Sequence, residues 1–348
     1  MTEGVPHDDG LRGQPLRDWL DGHVEGFRGP YTTRKFKGGQ SNPTYLVEAA
    51  SGRYVLRRQP AGTLLASAHA VDREYAVIRA LHGGAVPVAR PLALCTDTGV
   101  LGSMFYVMAF VEGDILWDPA LPDIAEERRA AYHRSMVANL AAIHDIDVEA
   151  AGLADFGRAG DYFQRQVSRW SKQYRASETQ RIDAIEALIE RLPSLCPADD
   201  GSVSLVHGDY RLDNLIWHPG RAEVAATVDW ELSTLGHPAA DLGYLCMALR
   251  LPRNPVIPGL GGLDREALGL PDEAQLLTHY RALRPHAVLP DWNFVLAFSF
   301  FRLAAIAQGV ARRAQQGNAA SEQANQAGAM TRLLAGEGLA CLERAGEG

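Results

Sequence analysis

The sequence predicts an α+β chain of two unequal lobes, a small strand-rich one at the N-terminal end and a larger helical one after it. Three observations carry this. Short apolar runs of strand length cluster before residue 112, at 44–48, 53–58 and 104–111. Beyond that point the apolar residues recur mostly at helical spacing. A Glu112-Gly113 break separates the two regimes and marks a crossing segment near 110–113. The lobes are therefore placed at 1–111 and 112–348.

Residues 1–12 are polar and acidic and read as disordered. A helix over 14–27 follows, with Leu16, Trp19, Leu20 and Val24 on one face. The strands 44–48 and 53–58 are joined by the turn Ala50-Ser51-Gly52-Arg53. The next helix takes Ser67 as its N-cap and runs through Val71, Tyr75, Ile78 and Leu81 to Gly83-Gly84. In the second lobe, helices are expected over 125–144 and 177–192. The latter opens on a Ser177-x-x-Gln180 capping pattern and closes at Pro193. Short strands follow at 203–206, 215–217 and 226–229. A Pro/Gly-rich loop covers 251–262, and two long helices at 292–313 and 321–345 finish the chain.

Composition limits the function. The 348 residues carry a formal net charge of -8. A nucleic-acid partner is unfavourable, because it needs a basic face. Cys95, Cys196, Cys246 and Cys341 form no CxxC pair, which argues against a zinc site or disulfide framework and for a reducing compartment. The first residues lack the basic and apolar regions of a leader peptide, and no apolar run is expected to reach membrane-spanning length. A cytoplasmic protein without a membrane partner is the resulting expectation.

The densest chemistry lies in Val206-His207-Gly208-Asp209-Tyr210-Arg211-Leu212-Asp213-Asn214. Phosphoryl transfer needs an oxygen acceptor for the attacking hydroxyl and a hard oxygen ligand nearby for Mg²⁺; an Asp-x-x-x-x-Asn loop supplies both. Alone, the string reads equally as a strand and an Asx-rich turn. Thr227-Val228-Asp229-Trp230-Glu231 ends an apolar strand in a carboxylate, fifteen residues after Asn214. Alone, Asp229 reads as a helix N-cap. Together the strings place three oxygen-bearing side chains within hairpin reach.

These strings resemble the aminoglycoside phosphotransferase and choline kinase superfamily, whose fold is protein-kinase-like. The resemblance runs through nearly the whole chain. Gly38-Gly39-Gln40-Ser41-Asn42-Pro43-Thr44-Tyr45 resembles its nucleotide loop, and Tyr54-Val55-Leu56-Arg57 the strand bearing the phosphate-binding cation. Asp72-Arg73-Glu74-Tyr75 resembles the helix whose glutamate pairs with that cation, and Met108-Ala109-Phe110-Val111-Glu112-Gly113 the hinge. Leu140-Ala141-Ala142-Ile143-His144 and Asp241-Leu242-Gly243-Tyr244 resemble further motifs of the larger lobe.

The resemblance implies Asp209 as catalytic base, Asn214 and Asp229 as Mg²⁺ ligands, and ATP, with GTP open, as phosphate donor. It implies Gly39, Gln40, Ser41 and Asn42 over the phosphates, Arg57 cradling them, Glu74 orienting Arg57, and Met108 and Phe110 at the hinge. Protein kinases carry lysine where this chain has Arg57-Arg58. Strand alternation lets one of the two face the cleft, and Arg57 is favoured because it shares a face with Val55. Taken singly, these arginines could be a solvated edge and Glu74 an ordinary helix ion pair. His144 and His207 read as structural hydrogen-bonders, and Asp241 as an anchor for the catalytic loop's amides.

The partner is expected to be a small hydroxylated molecule; a homodimer is left open. The segment after residue 251 shows no dense acidic cluster for a polycation and carries Arg253, Arg265, Arg281, Arg284, Arg302, Arg312 and Arg313. With the strings at 36–45, 57–60 and 67–75, the resemblance is closest to phosphotransferases related to the N-terminal domain of certain acyl-CoA dehydrogenases. That implies a hydroxy acid or hydroxyacyl-CoA acceptor. An antibiotic or choline-type kinase is the alternative enzyme, and a nucleotide-binding pseudokinase the alternative of another class.

Overall fold

The structure, a computed structural model, describes residues 10–36, 42–60, 70–316 and 322–344. The smaller lobe is built on a five-stranded antiparallel sheet. Its strands are β1 (Tyr31–Lys35), β2 (Thr44–Ala49), β3 (Gly52–Arg58), β4 (Pro91–Cys95) and β5 (Phe105–Ala109), in the order β1-β2-β3-β5-β4. The β2–β3 hairpin pairs Thr44 with Arg57 and Leu46 with Val55, so the expected turn sets the register. Helix α1 (Gln14–His23) covers one face of the sheet through Leu16, Trp19 and Leu20, with the Trp19 ring edge-on to Phe105 at 4.7 Å.

Helix α2 (Val71–Leu81) lies on the other side, and Val71, Val77, Ile78 and Leu81 join the core of the larger lobe. Its cap is Ala70, and the proposed cap Ser67 lies outside the described residues. The expected disorder over 1–12 falls outside them as far as residue 9. Leu11, by contrast, is buried, and its carbonyl accepts from the Tyr31 hydroxyl.

After the short α3 (Thr98–Leu101) and β6 (Asp114–Ile115), the chain enters the helical lobe. This comprises α4 (Glu126–His144), α5 (Tyr162–Ser177), α6 (Asp183–Leu195), α7 (Ala239–Arg250), α8 (Glu273–Leu283), α9 (Trp292–Gln316) and α10 (Glu322–Arg344). Two small antiparallel sheets sit among the helices. One pairs β7 (Ser204–Val206) with β10 (Thr234–Gly236); the other joins β6, β8 (Leu215–Trp217) and β9 (Val224–Thr227).

Several expectations fail here. The helix predicted over 177–192 begins at Asp183, because Ser177 instead closes α5, its hydroxyl donating to the Gln173 carbonyl. Pro193 sits inside the last turn of α6 and does not end it, since few hydrogen bonds remain there to lose. A full capping box does form at Asp272 and Gln275, opening a helix the periodicity did not reveal. The expectation that no run reaches membrane-spanning length is also overturned: Trp292–Gln315 has the length and a mean hydropathy of 1.8. Inside the fold 83% of its apolar window is buried, as befits the central core helix of this lobe.

Candidate active site

The loop after β7 carries Asp209. Gly208 adopts φ +85°, and a Cβ there would lie 2.5 Å from the Leu232 carbonyl oxygen, so the turn requires glycine. Asp241, fully buried in the first turn of α7, accepts from the amides of His207 (2.6 Å) and Gly208 (2.9 Å). Burial opposes its charge, but the approach of His144 and these amides outweighs it and holds the carboxyl below its usual range. His144 bonds the Tyr280 hydroxyl at 2.7 Å, and burial keeps it neutral. His207 accepts the Asp209 amide on Nδ1, so its Nε2–H donates to the Val228 carbonyl at 3.0 Å and ties the two motifs together. The bracing roles expected of His144, His207 and Asp241 match this geometry.

Both oxygens of Asp209 are held. Tyr244, one helical turn beyond Asp241, donates to Oδ1 at 2.7 Å; Asn214 Nδ2 donates to Oδ2 at 3.0 Å and to the Asp209 carbonyl at 2.8 Å. Burial raises the carboxyl's pKa, with the Arg211 guanidinium first among the groups opposing it. The Val228 amide bonds the Asn214 carbonyl at 3.0 Å, which brings Asp229 beside Asn214. Asp229 sits in the left-handed region at φ +64°.

From the other lobe comes Arg57. Its Nη2 meets Asp229 Oδ1 at 2.6 Å, and its Nε forms an ion pair with Glu74 Oε2 at 2.7 Å. The Glu74 carboxylate also accepts from Asn42 (2.6 Å) and the Tyr106 hydroxyl (3.2 Å). Arg58 points the other way, to the Ser103 hydroxyl and the Leu101 carbonyl, so alternation along β3 resolves the pair in favour of Arg57. Burial works against the Arg57 charge, but Glu74 and Asp229 more than restore it. Met108 pairs with Val55 across β3 and β5. Phe110 carries the Arg53 guanidinium over its ring at 4.4 Å, at the crossing segment. Gly39, Gln40 and Ser41 lie outside the described residues.

Against this geometry, the family model described as "Phosphotransferase enzyme family" matches residues 32–286. This chain belongs to that family. It is 45% identical over 340 residues to mouse acyl-CoA dehydrogenase family member 10, covering 95% of this chain and 32% of the mouse protein. It is 41% identical to rat acyl-CoA dehydrogenase family member 11, covering 88% of this chain and 40% of that protein. The chain thus spans well under half the length of these curated relatives. A crystal structure from Ralstonia eutropha, assigned provisionally as an aminoglycoside phosphotransferase, superposes at TM-score 0.86 with 45% identity, covering 95% of this chain and 98% of its own. The aminoglycoside phosphotransferase APH(4)-Ia, in its ternary complex with ADP and hygromycin B, shares the fold at TM-score 0.58 and 14% identity, with 92% and 98% covered. The phosphotransferase fold is therefore the two-lobed protein-kinase-like one.

The donor atoms suit a divalent cation. Asn214 spends its nitrogen on Asp209, and among the described residues its Oδ1 has no hydrogen-bond partner. Asp229 engages Arg57 through Oδ1 alone, and its side chain is 28% exposed. One carboxylate and one amide oxygen beside phosphate oxygens is a set Mg²⁺ accepts.

Three features escaped the sequence reading. Tyr244 was quoted only as part of a motif, although its i,i+3 spacing from Asp241 puts both on the loop-facing side of α7. A cavity of about 380 Å³ has on its wall Tyr244, which bonds Asp209, together with Arg211 and Asp213, and is otherwise lined by apolar residues including Met136, Leu245, Leu249, Leu251, Ile257 and Leu260. Trp117 and Val256, both exposed, line its mouth. No local signal predicts this cavity, because α4, α7 and the 251–262 loop meet only in the fold. The third is Arg302, which lies under the catalytic loop.

Proposed function

We propose that this phosphotransferase moves the γ-phosphoryl group of ATP onto the hydroxyl of an acceptor with an apolar body, a hydroxy acid or hydroxyacyl thioester. The observation that carries it is an apolar cavity whose wall includes Tyr244, the residue that holds Asp209 Oδ1, so that the clamped carboxylate lies one hydrogen bond from the cavity wall. The acceptor oxygen attacks the γ-phosphorus, the bond to the β-phosphate oxygen breaks, and the hydroxyl proton passes to Asp209. With a loose transition state, positioning that oxygen is the main service Asp209 renders. Arg57, freed from Asp229, reaches the phosphates while Glu74 holds its other edge. A divalent cation on Asn214 and Asp229 would neutralise charge on the phosphate oxygens.

The acidic groups around the cavity are already committed. Asp213 is paired with Arg211, and Asp118 with Arg253 at 2.6 Å. Among the described residues that line the cavity, a polycationic aminoglycoside would find no carboxylate that is not already paired with an arginine. The relatives' names, acyl-CoA dehydrogenase family members, favour the same class of acceptor.

The test is ADP formation from Mg·ATP with hydroxyacyl-CoA thioesters, free hydroxy acids, aminoglycosides and choline side by side. Turnover is expected with the acyl compounds and in none of the cationic arms; the reverse pattern would sink the acceptor assignment. Asp209→Asn is expected to lower kcat by about 10²–10⁴-fold, the range for a positioned acid–base group.

A further inference from the structure

Arg302, on α9, is a buried cation with no ion-pair partner in contact among the described residues. The residue is 5% exposed, and the Asp209 carboxylate feels its charge from further off. Its guanidinium instead donates to the Gly208 carbonyl and lies over two rings, 5.4 Å from the Trp170 centroid on α5 and 5.3 Å from that of Tyr244 on α7. Taking a guanidinium out of water with no carboxylate in contact is costly, and two aromatic faces and the more distant charge of Asp209 offset only part of that cost. Packing alone would be served better by an apolar side chain.

Both groups that Arg302 touches lead to Asp209. The Gly208 carbonyl belongs to the peptide unit whose N–H is that of Asp209, and that N–H donates to His207 Nδ1 at 3.2 Å. The peptide plane is thus pinned at its oxygen by Arg302 and at its nitrogen by His207. The pin matters here because Gly208, at φ +85°, occupies a region where a glycine peptide reorients with little steric resistance. Tyr244, whose ring covers the guanidinium, holds Asp209 Oδ1. We propose that Arg302 is a positioning residue for Asp209, fixing its backbone through the Gly208 carbonyl and its carboxylate through the Tyr244 ring. The proposal rests on the reading of Asp209 as the group that receives the acceptor's proton.

The experiment follows ADP release from Mg·ATP with water as acceptor, so it does not depend on which acceptor is native, and measures ADP binding by calorimetry in parallel. Arg302→Met keeps most of the stem's volume but removes donor and charge. It is expected to lower kcat about 10- to 100-fold, the scale of a small misplacement of a reacting group, with the KM for ATP and ADP binding unchanged. Arg302→Lys, which can still donate to the carbonyl, is expected to recover part of the loss. Tyr244→Phe keeps the ring and loses the clamp, so the double variant is expected to lose little more than the worse single one. An unchanged kcat in Arg302→Met, a rise in the KM for ATP matching the loss in kcat, or single losses that multiply in the double variant would each overturn the proposal. If Arg302→Met does not fold, Trp170→Leu weakens the stack from the side away from the loop. A several-fold fall in kcat is then expected, and no fall refutes the idea. Asp209→Asn in the same assay separates the two claims: if it keeps wild-type hydrolysis, the reading of Asp209 fails first and the proposal falls with it.

Discussion

Glu74 is the hub of the cleft's buried polar network. It is 1% exposed and faces Arg57, Asn42 and Tyr106 at once. Removing one partner of a buried pair leaves an uncompensated charge. Glu74→Ala is therefore expected to lower unfolding free energy in urea by about 3 kcal/mol and to raise the KM for ATP, because Arg57 loses its guide. Glu74→Gln, which still accepts from Asn42, is expected to lose less stability. At this scale the sequence was highly legible: Asp209, Asn214, Asp229, Arg57 and Glu74 were each named from short strings, and the structure brings them together. What it hid are residues whose meaning lies in a distant partner. Arg302 is 94 positions from the carbonyl it holds, and no spacing rule joins the two.

Helices meet closely around the site. Gly243, between Asp241 and Tyr244, faces α9, and a Cβ there would stand 2.4 Å from Val295 Cγ1. Gly243→Ala is expected to push α7 from α9 and to destabilise the protein by about 1–3 kcal/mol, read as a lower Tm. Because α7 carries both the loop anchor and the Asp209 clamp, kcat should fall with it. The wall of the proposed acceptor cavity tests the same helix differently. Ala248 lines that cavity, so Ala248→Phe is expected to raise the KM for acyl acceptors several-fold and leave that for ATP alone. Elements with clear periodicity or sharp stops were read well, as with the β2–β3 hairpin and α2. The failures have local causes: Ser177 satisfies its own helix's carbonyl rather than capping the next one, and the strands β1 and β4 are too short and mixed to announce themselves.

At the scale of the molecule, stability should depend on pH through buried histidines. His133 is enclosed, its ring N–H donating to the Pro119 carbonyl at 2.9 Å, and burial lowers its pKa from 6.5 to about 4. His144 and His237 shift in the same direction, also from burial. A depressed histidine leaves the folded state binding fewer protons than the unfolded one. Stability is then fully present above pH 6.5 and falls as pH drops from 6.5 toward 4. His133 alone accounts for about 3 kcal/mol across that window. His133→Gln is expected to flatten the dependence of the urea midpoint on pH over the same range; an unaltered slope would show that His133 is not its source. The two-lobe plan itself was legible because strand and helix periodicities occupy different halves of the sequence. The lobes are tied by Arg73, which donates to the Phe156 carbonyl at 2.6 Å, by the Thr227 amide on the Pro87 carbonyl at 2.8 Å, and by Arg57 with Asp229. That last bond sets a competition within the crevice. On the proposed reading, a cation bound at Asp229 would displace the guanidinium and turn a positive group toward the triphosphate. Metal and nucleotide should accordingly load as mutual helpers, each tightening the other, and substituting Arg57 by methionine should uncouple them.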